Sequence, residues 1–78
     1  MEKKAIPEAV LRSFKYFTDR FGGSVAYKGE TADGVVFLWV APADLDIGFP
    51  EVRVWTGSSV IPLSGFAAVD ALASVSKD

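Results

Sequence analysis

The chain contains neither cysteine nor histidine. It can therefore form no disulfide and no zinc–thiolate site, and it lacks the commonest metal ligand and the commonest general base. A domain of 78 residues is small, and domains of this size usually gain stability from a disulfide, a metal or association with another chain. Association is the main device that this composition leaves.

Long apolar runs are also missing. The longest uninterrupted one is 35–41, far short of the roughly 18 residues that a membrane-spanning helix needs. Lys3 and Lys4 resemble the start of a signal peptide, but Pro7, Glu8 and Arg12 interrupt the apolar stretch that should follow. We therefore expect no membrane association and a cytoplasmic location.

Neither sign of charge is in large excess: the chain has eight basic and ten acidic side chains and a net charge of −2. This argues against nucleic acid as a partner, since nucleic-acid binding depends on basic surface. The charge is unevenly spread: residues 1–28 carry six basic and three acidic side chains, and residues 29–78 carry two basic and seven acidic ones. Such asymmetry can orient two copies of a chain or arise by chance in a short one.

Apolar residues, in contrast, are plentiful. They form 50% of the chain before glycine is counted, whereas about 45–50% with glycine included is usual. A well-packed monomer could absorb this excess, as much of it is alanine and valine. The composition nevertheless favours an apolar surface that meets a second copy or another protein.

The spacing of four apolar residues predicts a helix over 7–21. Val10, Phe14, Phe17 and Phe21 fall on one stripe at helical periodicity. Pro7 suits the first turn, and the following pair of glycines ends the helix. Three phenylalanines on one stripe could line a ligand pocket, but they are more typical of a core seam.

The middle of the chain predicts a sheet. Strands are expected at 24–29, 35–41, 51–56 and 60–63, with Asp33-Gly34 as a hairpin turn. The second strand is apolar without a break and should be buried on both faces. Pro62 confines the last strand to an edge. Residues 42–50 fit either a loop or an edge strand.

A second helix is predicted from about residue 65 to 76, with Ser64 as its N-cap. Its buried arc should consist of Ala68, Val69, Leu72 and Val75. Phe66 falls on the other side of the helical wheel, so it either folds back over the first turn or is exposed.

Together these elements predict one α+β domain over residues 1–78, with an N-terminal helix, a three- or four-stranded antiparallel sheet and a C-terminal helix. Residues 1–6 could form a disordered N-terminus. If both helices lie on one face of the sheet, the other face should be an exposed apolar patch. If one helix covers each face, the need for a partner largely disappears.

Few residues offer chemistry. Asp44, Asp46 and Glu51 bring three carboxylates close together along the chain, but their spacing does not match a calcium loop. The segments 57–59 and 64–65 could present backbone N–H groups to an anion, yet no phosphate-loop pattern follows them. We expect no catalytic residue, no metal, no cofactor and no enzymatic activity.

The sequence predicts a small protein–protein interaction domain that forms a homodimer or binds another protein. The candidate interface residues are aromatic, aliphatic and arginine side chains of the strands, of segment 42–50 and of the last helix: Trp39, Leu45, Ile47, Phe49, Arg53, Trp55 and Phe66. The alternative is a small-molecule-binding protein with an apolar pocket between the N-terminal helix and the sheet.

Overall fold

The N-terminal helix divides into two. A computed structural model of the chain describes residues 6–45, 48 and 50–75, and it places α1 at Glu8–Ser13 and α2 at Lys15–Phe21. Phe14 separates them with φ −94° and ψ −1°. The amide of Thr18 still donates to the carbonyl of Phe14 at 3.0 Å. The predicted helix is therefore present, with one interruption that its unbroken apolar periodicity did not reveal.

Four strands follow, so the sheet has the larger of the two predicted sizes. They are β1 (Ser24–Thr31), β2 (Gly34–Val40), β3 (Glu51–Trp55) and β4 (Val60–Ser64). All neighbouring pairs are antiparallel, and the order in the sheet is β1-β2-β3-β4. The described residues of 42–50 belong to no strand, which agrees with the loop alternative.

Both edges of the sheet are irregular. The register of β1 against β2 shifts between Tyr27 and Gly29, and β4 carries Pro62, which has no N–H to donate. Bulges and prolines are common means of preventing an edge strand from pairing with another chain. The edges are thus poor sites for strand addition.

The last element of the described residues is α3, Gly65–Ala73, which begins directly after β4. The helix is shorter than predicted. Ser64 stands at the N-cap position with an extended backbone, but its side chain makes no capping hydrogen bond. Among the described residues, no helix is long and apolar enough to cross a membrane.

One helical layer covers each face of the sheet. The α1–α2 layer encloses a first cluster of buried side chains, Val10, Phe14, Phe37 and Trp39. The second cluster lies under α3 and consists of Val36, Val52, Val54 and Ala68. Consecutive residues of β2 enter opposite clusters, which is why this strand is apolar throughout. The arrangement is the second of the two predicted alternatives, so the faces of the sheet leave little apolar surface that needs a partner.

The turn between α2 and β1 depends on Trp39. Its indole Nε1 donates to the carbonyl oxygen of Gly22 at 2.9 Å. A Cβ atom at Gly23 would overlap the carbonyl oxygen of Val40 and would come within 2.8 Å of the same Nε1. Gly23 also has φ +84°, a region that side chains disfavour. The close approach of backbone and indole therefore requires glycine.

Replacing Gly23 by alanine should destabilise the domain more than the same change at its neighbour. Gly22 has the same φ of +84°, but its added Cβ would meet only Pro42 Cγ at 3.8 Å. Gly22→Ala should cost about 1–3 kcal/mol from backbone strain alone. Gly23→Ala should add about 1–3 kcal/mol for the steric overlap. Urea unfolding measures both, and equal losses would contradict the indole contact.

Candidate interaction surface

The helix α3 has an unusual composition for a helix at a protein surface. Asp70 is the one polar side chain among its nine residues. A surface helix normally carries an apolar stripe toward the core and polar residues opposite. Here Ala68 is fully buried, and Ala71 and Leu72 pack beside it. Apart from Asp70, the remaining surface of the helix is apolar as well, although it does not face the core.

Three residues form this second apolar surface, which we call the outer stripe: Phe66, Val69 and Ala73. At 100° per residue they lie within about 60° of one another. Phe66 is 77% exposed and Val69 is 42% exposed. The predicted buried position of Val69 is therefore wrong, and Phe66 is exposed rather than folded out of solvent. Because these exposed residues share one stripe, they form a contiguous apolar patch rather than isolated exposed side chains.

A groove lies on the same side of the sheet, beyond the C-terminal end of α3. Its volume is about 1180 Å³, and Leu38, Leu72 and Val75 provide its apolar wall. The segment 27–32 provides the other side. The groove exists because α3 packs mainly against β3 and β4, which leaves the β1 half of this face less covered.

The predicted ligand pocket under the N-terminal helix is occupied by the protein itself. Phe14 and Phe37 are fully buried there, and Phe17 packs on Trp39 with ring centroids 5.1 Å apart. Arg53 inserts between the sheet and the same helices. The phenylalanine stripe of the N-terminal helix is thus a core seam.

The predicted interface residues separate into distinct locations. Trp39 is 2% and Arg53 is 8% exposed, so the domain itself covers both of them. Leu45 and Trp55 are half-buried and pack against the α1–α2 cluster. Phe66 lies on the other side of the sheet, in the outer stripe. Ile47 and Phe49 lie outside the described residues.

The buried position of Arg53 has a clear physical basis. Its guanidinium carbon lies 4.8 Å from the ring centroid of Phe14 and 5.9 Å from that of Phe17. Nη1 donates to the carbonyl oxygen of Val52 at 2.9 Å and approaches Glu51 Oε1 at 3.5 Å. Arginine tolerates burial when its planar group stacks on rings and its long stem packs on apolar surface. Arg53 is therefore part of the core.

Among residues 6–45, 48 and 50–75, no three or more acidic side chains lie close enough together to hold a metal ion. Of the carboxylates noted in the sequence, Asp46 lies outside the described residues. Glu51 is in contact with Arg53.

The sequence identified Phe66 as an interface candidate but placed Val69 in the buried arc, because that arc was defined by periodicity alone. The available signal was the near absence of polar residues on a helix at the end of a small domain. Such a helix either is fully enclosed or exposes apolar surface. Combined with Phe66 outside the arc, this could have identified the outer stripe.

Replacing Arg53 should separate the contribution of its volume from that of its charge. Arg53→Ala should cost about 2–4 kcal/mol of unfolding free energy, because it leaves a cavity beside Phe14. Arg53→Met should cost less than about 1.5 kcal/mol, because it keeps most of the volume and Glu51 can turn to water. Chemical denaturation tests both variants. An Arg53→Met variant as unstable as Arg53→Ala would show that the guanidinium group itself holds the sheet to α1.

Comparison with known proteins provides no family, relative or structural neighbour from which a function could be inferred. No protein-family model, no curated protein and no solved structure matches this chain significantly. The outer stripe of α3 is therefore the candidate site on the strength of its own composition and exposure.

Proposed function

We propose that this domain is a protein–protein interaction module that self-associates through the outer stripe of α3, with a homodimer as the first assembly. The observation that carries the proposal is the exposure of Phe66, 77%, on a helix with a single polar residue. Large aromatic side chains surrounded by smaller apolar ones are typical centres of protein interfaces.

The size of the two cores supports association. Each face of the sheet has a cluster of only four buried side chains, with partly buried ones around it, and small domains are often marginally stable without an added partner. Covering a phenylalanine side chain contributes about 1.5–3 kcal/mol. A second chain placed on the outer stripe would thus add an appreciable fraction of the 5–15 kcal/mol that a typical domain has.

The helix is a better partner surface than the sheet. Proline and a register shift make β4 and β1 unsuitable for pairing with another strand. Val36, Phe37 and Trp39 of β2 are buried by the domain itself, whereas Leu38 lines the groove and Val40 is partly exposed. A cytoplasmic location belongs to the same proposal and rests on the sequence alone.

Small-molecule binding remains the alternative function. The space assigned to it by the sequence, between the N-terminal helix and the sheet, is filled by Phe14, Phe37 and Arg53. We therefore rank self-association first.

Light scattering behind a sizing column tests the proposal. The mass of the wild-type chain should rise from 8.4 kDa toward two chains as its concentration increases. Phe66→Glu should keep the mass of one chain throughout, since a carboxylate in the stripe would have to lose its water shell on association.

The matched control is Ala67→Glu, which adds the same charge at an exposed position next to Phe66 but about 100° around the helix. It should associate like the wild type. A wild-type chain that stays at one-chain mass at every concentration would overturn the proposal.

A further inference from the structure

The outer surface of α1 and α2 leaves one charge without an ionic partner. Glu8 and Arg12 pair at 3.0 Å, and Lys15 and Asp19 pair at 3.0 Å. Arg20 is the fifth charged residue of these helices, and no ion pair to it exists within residues 6–45, 48 and 50–75. The four paired charges neutralise one another, so Arg20 sets the sign of this surface.

An aromatic ring accompanies this arginine. The guanidinium carbon of Arg20 lies 4.7 Å from the ring centroid of Tyr16, four residues earlier on the same helix. Tyr16 is 59% exposed, and its ring meets Phe17 edge-on at 5.3 Å. Tyr16 and Arg20 therefore form an ordered, solvent-facing pair, which we call the α2 pair.

On α3 a negative charge follows an aromatic residue at the same spacing of four residues. Asp70 is exposed, forms no ion pair with any described residue, and follows Phe66 by four residues. Each helix thus presents an exposed aromatic ring followed one turn later by one uncompensated charge. The charge is positive on α2 and negative on α3.

We propose that the partner of the outer stripe is the α2 pair of a second copy of this chain. This inference rests on the proposed function and names the surface that the second copy contributes. With the two helices side by side and parallel, a spacing of four residues advances both by about 6 Å. Tyr16 then meets Phe66, and Arg20 meets Asp70, in one register. Charge complementarity of this kind fixes orientation and excludes other pairings.

The contact is head-to-tail. The α2 pair belongs to the helical layer on one face of the sheet, and the outer stripe belongs to α3 on the other. A dimer formed in this way therefore keeps one unused α2 pair and one unused outer stripe. Heterologous contacts of this type add further copies unless the geometry closes a ring.

Two variants that each block one of the surfaces test the inference. Arg20→Glu places a negative charge against Asp70, and Phe66→Glu places another negative charge in the outer stripe. Each variant alone should lose association at least tenfold relative to the wild type. A 1:1 mixture should form a complex of two chains and nothing larger, because only one intact α2 pair can meet one intact outer stripe.

Two control variants introduce the same changes of charge outside the proposed contact. Lys28→Glu repeats the charge change of Arg20→Glu at an exposed position of β1, at a side chain that has no ion pair among the described residues, and Ala67→Glu repeats the charge change of Phe66→Glu on α3. Both controls should associate like the wild type in analytical ultracentrifugation. Circular dichroism of all four variants verifies that the fold is kept.

The outcomes separate this inference from the proposed function. If Arg20→Glu associates like the wild type while Phe66→Glu does not, the outer stripe is an interface but the α2 pair is not its partner. If the mixture of blocked variants stays at one-chain mass, the head-to-tail contact is overturned. If the wild type itself is a monomer, the proposed function fails first.

Discussion

The hydrogen bond from the Trp39 indole to the Gly22 carbonyl is the constraint on which the arrangement of this domain depends. It joins the centre of the sheet to the point where α2 ends and β1 begins. The same indole contacts Phe17 and Phe21. The ring centroid of Trp39 lies 5.1 Å from that of Phe17 and 6.1 Å from that of Phe21. Since those two side chains set the rotation of α2, the bond also determines which residues of α2 face water.

The two faces of the sheet differ in how they are covered. The α1–α2 layer uses large side chains, phenylalanine and the stem of Arg53, and it encloses its core. The α3 layer uses alanine and leucine, so the helix can lie close to β3 and β4 but carries its largest side chain, Phe66, on the outside. When the largest side chain of a helix lies in water, the exposed apolar surface either lowers the solubility of the domain or binds a partner. The composition of the whole of α3 favours a partner.

Much of the fold could be predicted from the sequence, because local patterns determine it. Alternation in 51–55, the Asp33-Gly34 turn and the phenylalanine spacing of the N-terminal helix each correspond to an element that the structure contains. The break at Phe14 could not be predicted, since the apolar stripe continues through it. The order of the strands depends on contacts between distant residues, which short-range patterns do not report.

The candidate site was predicted less well, for a specific reason. Alternation shows that Glu51, Arg53 and Trp55 share one face of β3, but it does not show which layer covers that face. Arg53 and Trp39 therefore resembled interface residues, although α1 and α2 cover them. Phe66 could be placed outside the buried arc because a helical wheel depends only on local geometry. Its exposure was one of two alternatives that the sequence left open.

The most direct test of the account is a concentration series of two-dimensional ¹H–¹⁵N NMR spectra of the wild-type chain. The account predicts that, as concentration rises, shifts and line broadening concentrate on Phe66, Val69 and Asp70 of α3 and on Tyr16 and Arg20 of α2. Spectra without concentration dependence, or changes centred on the groove beside β1, would contradict it.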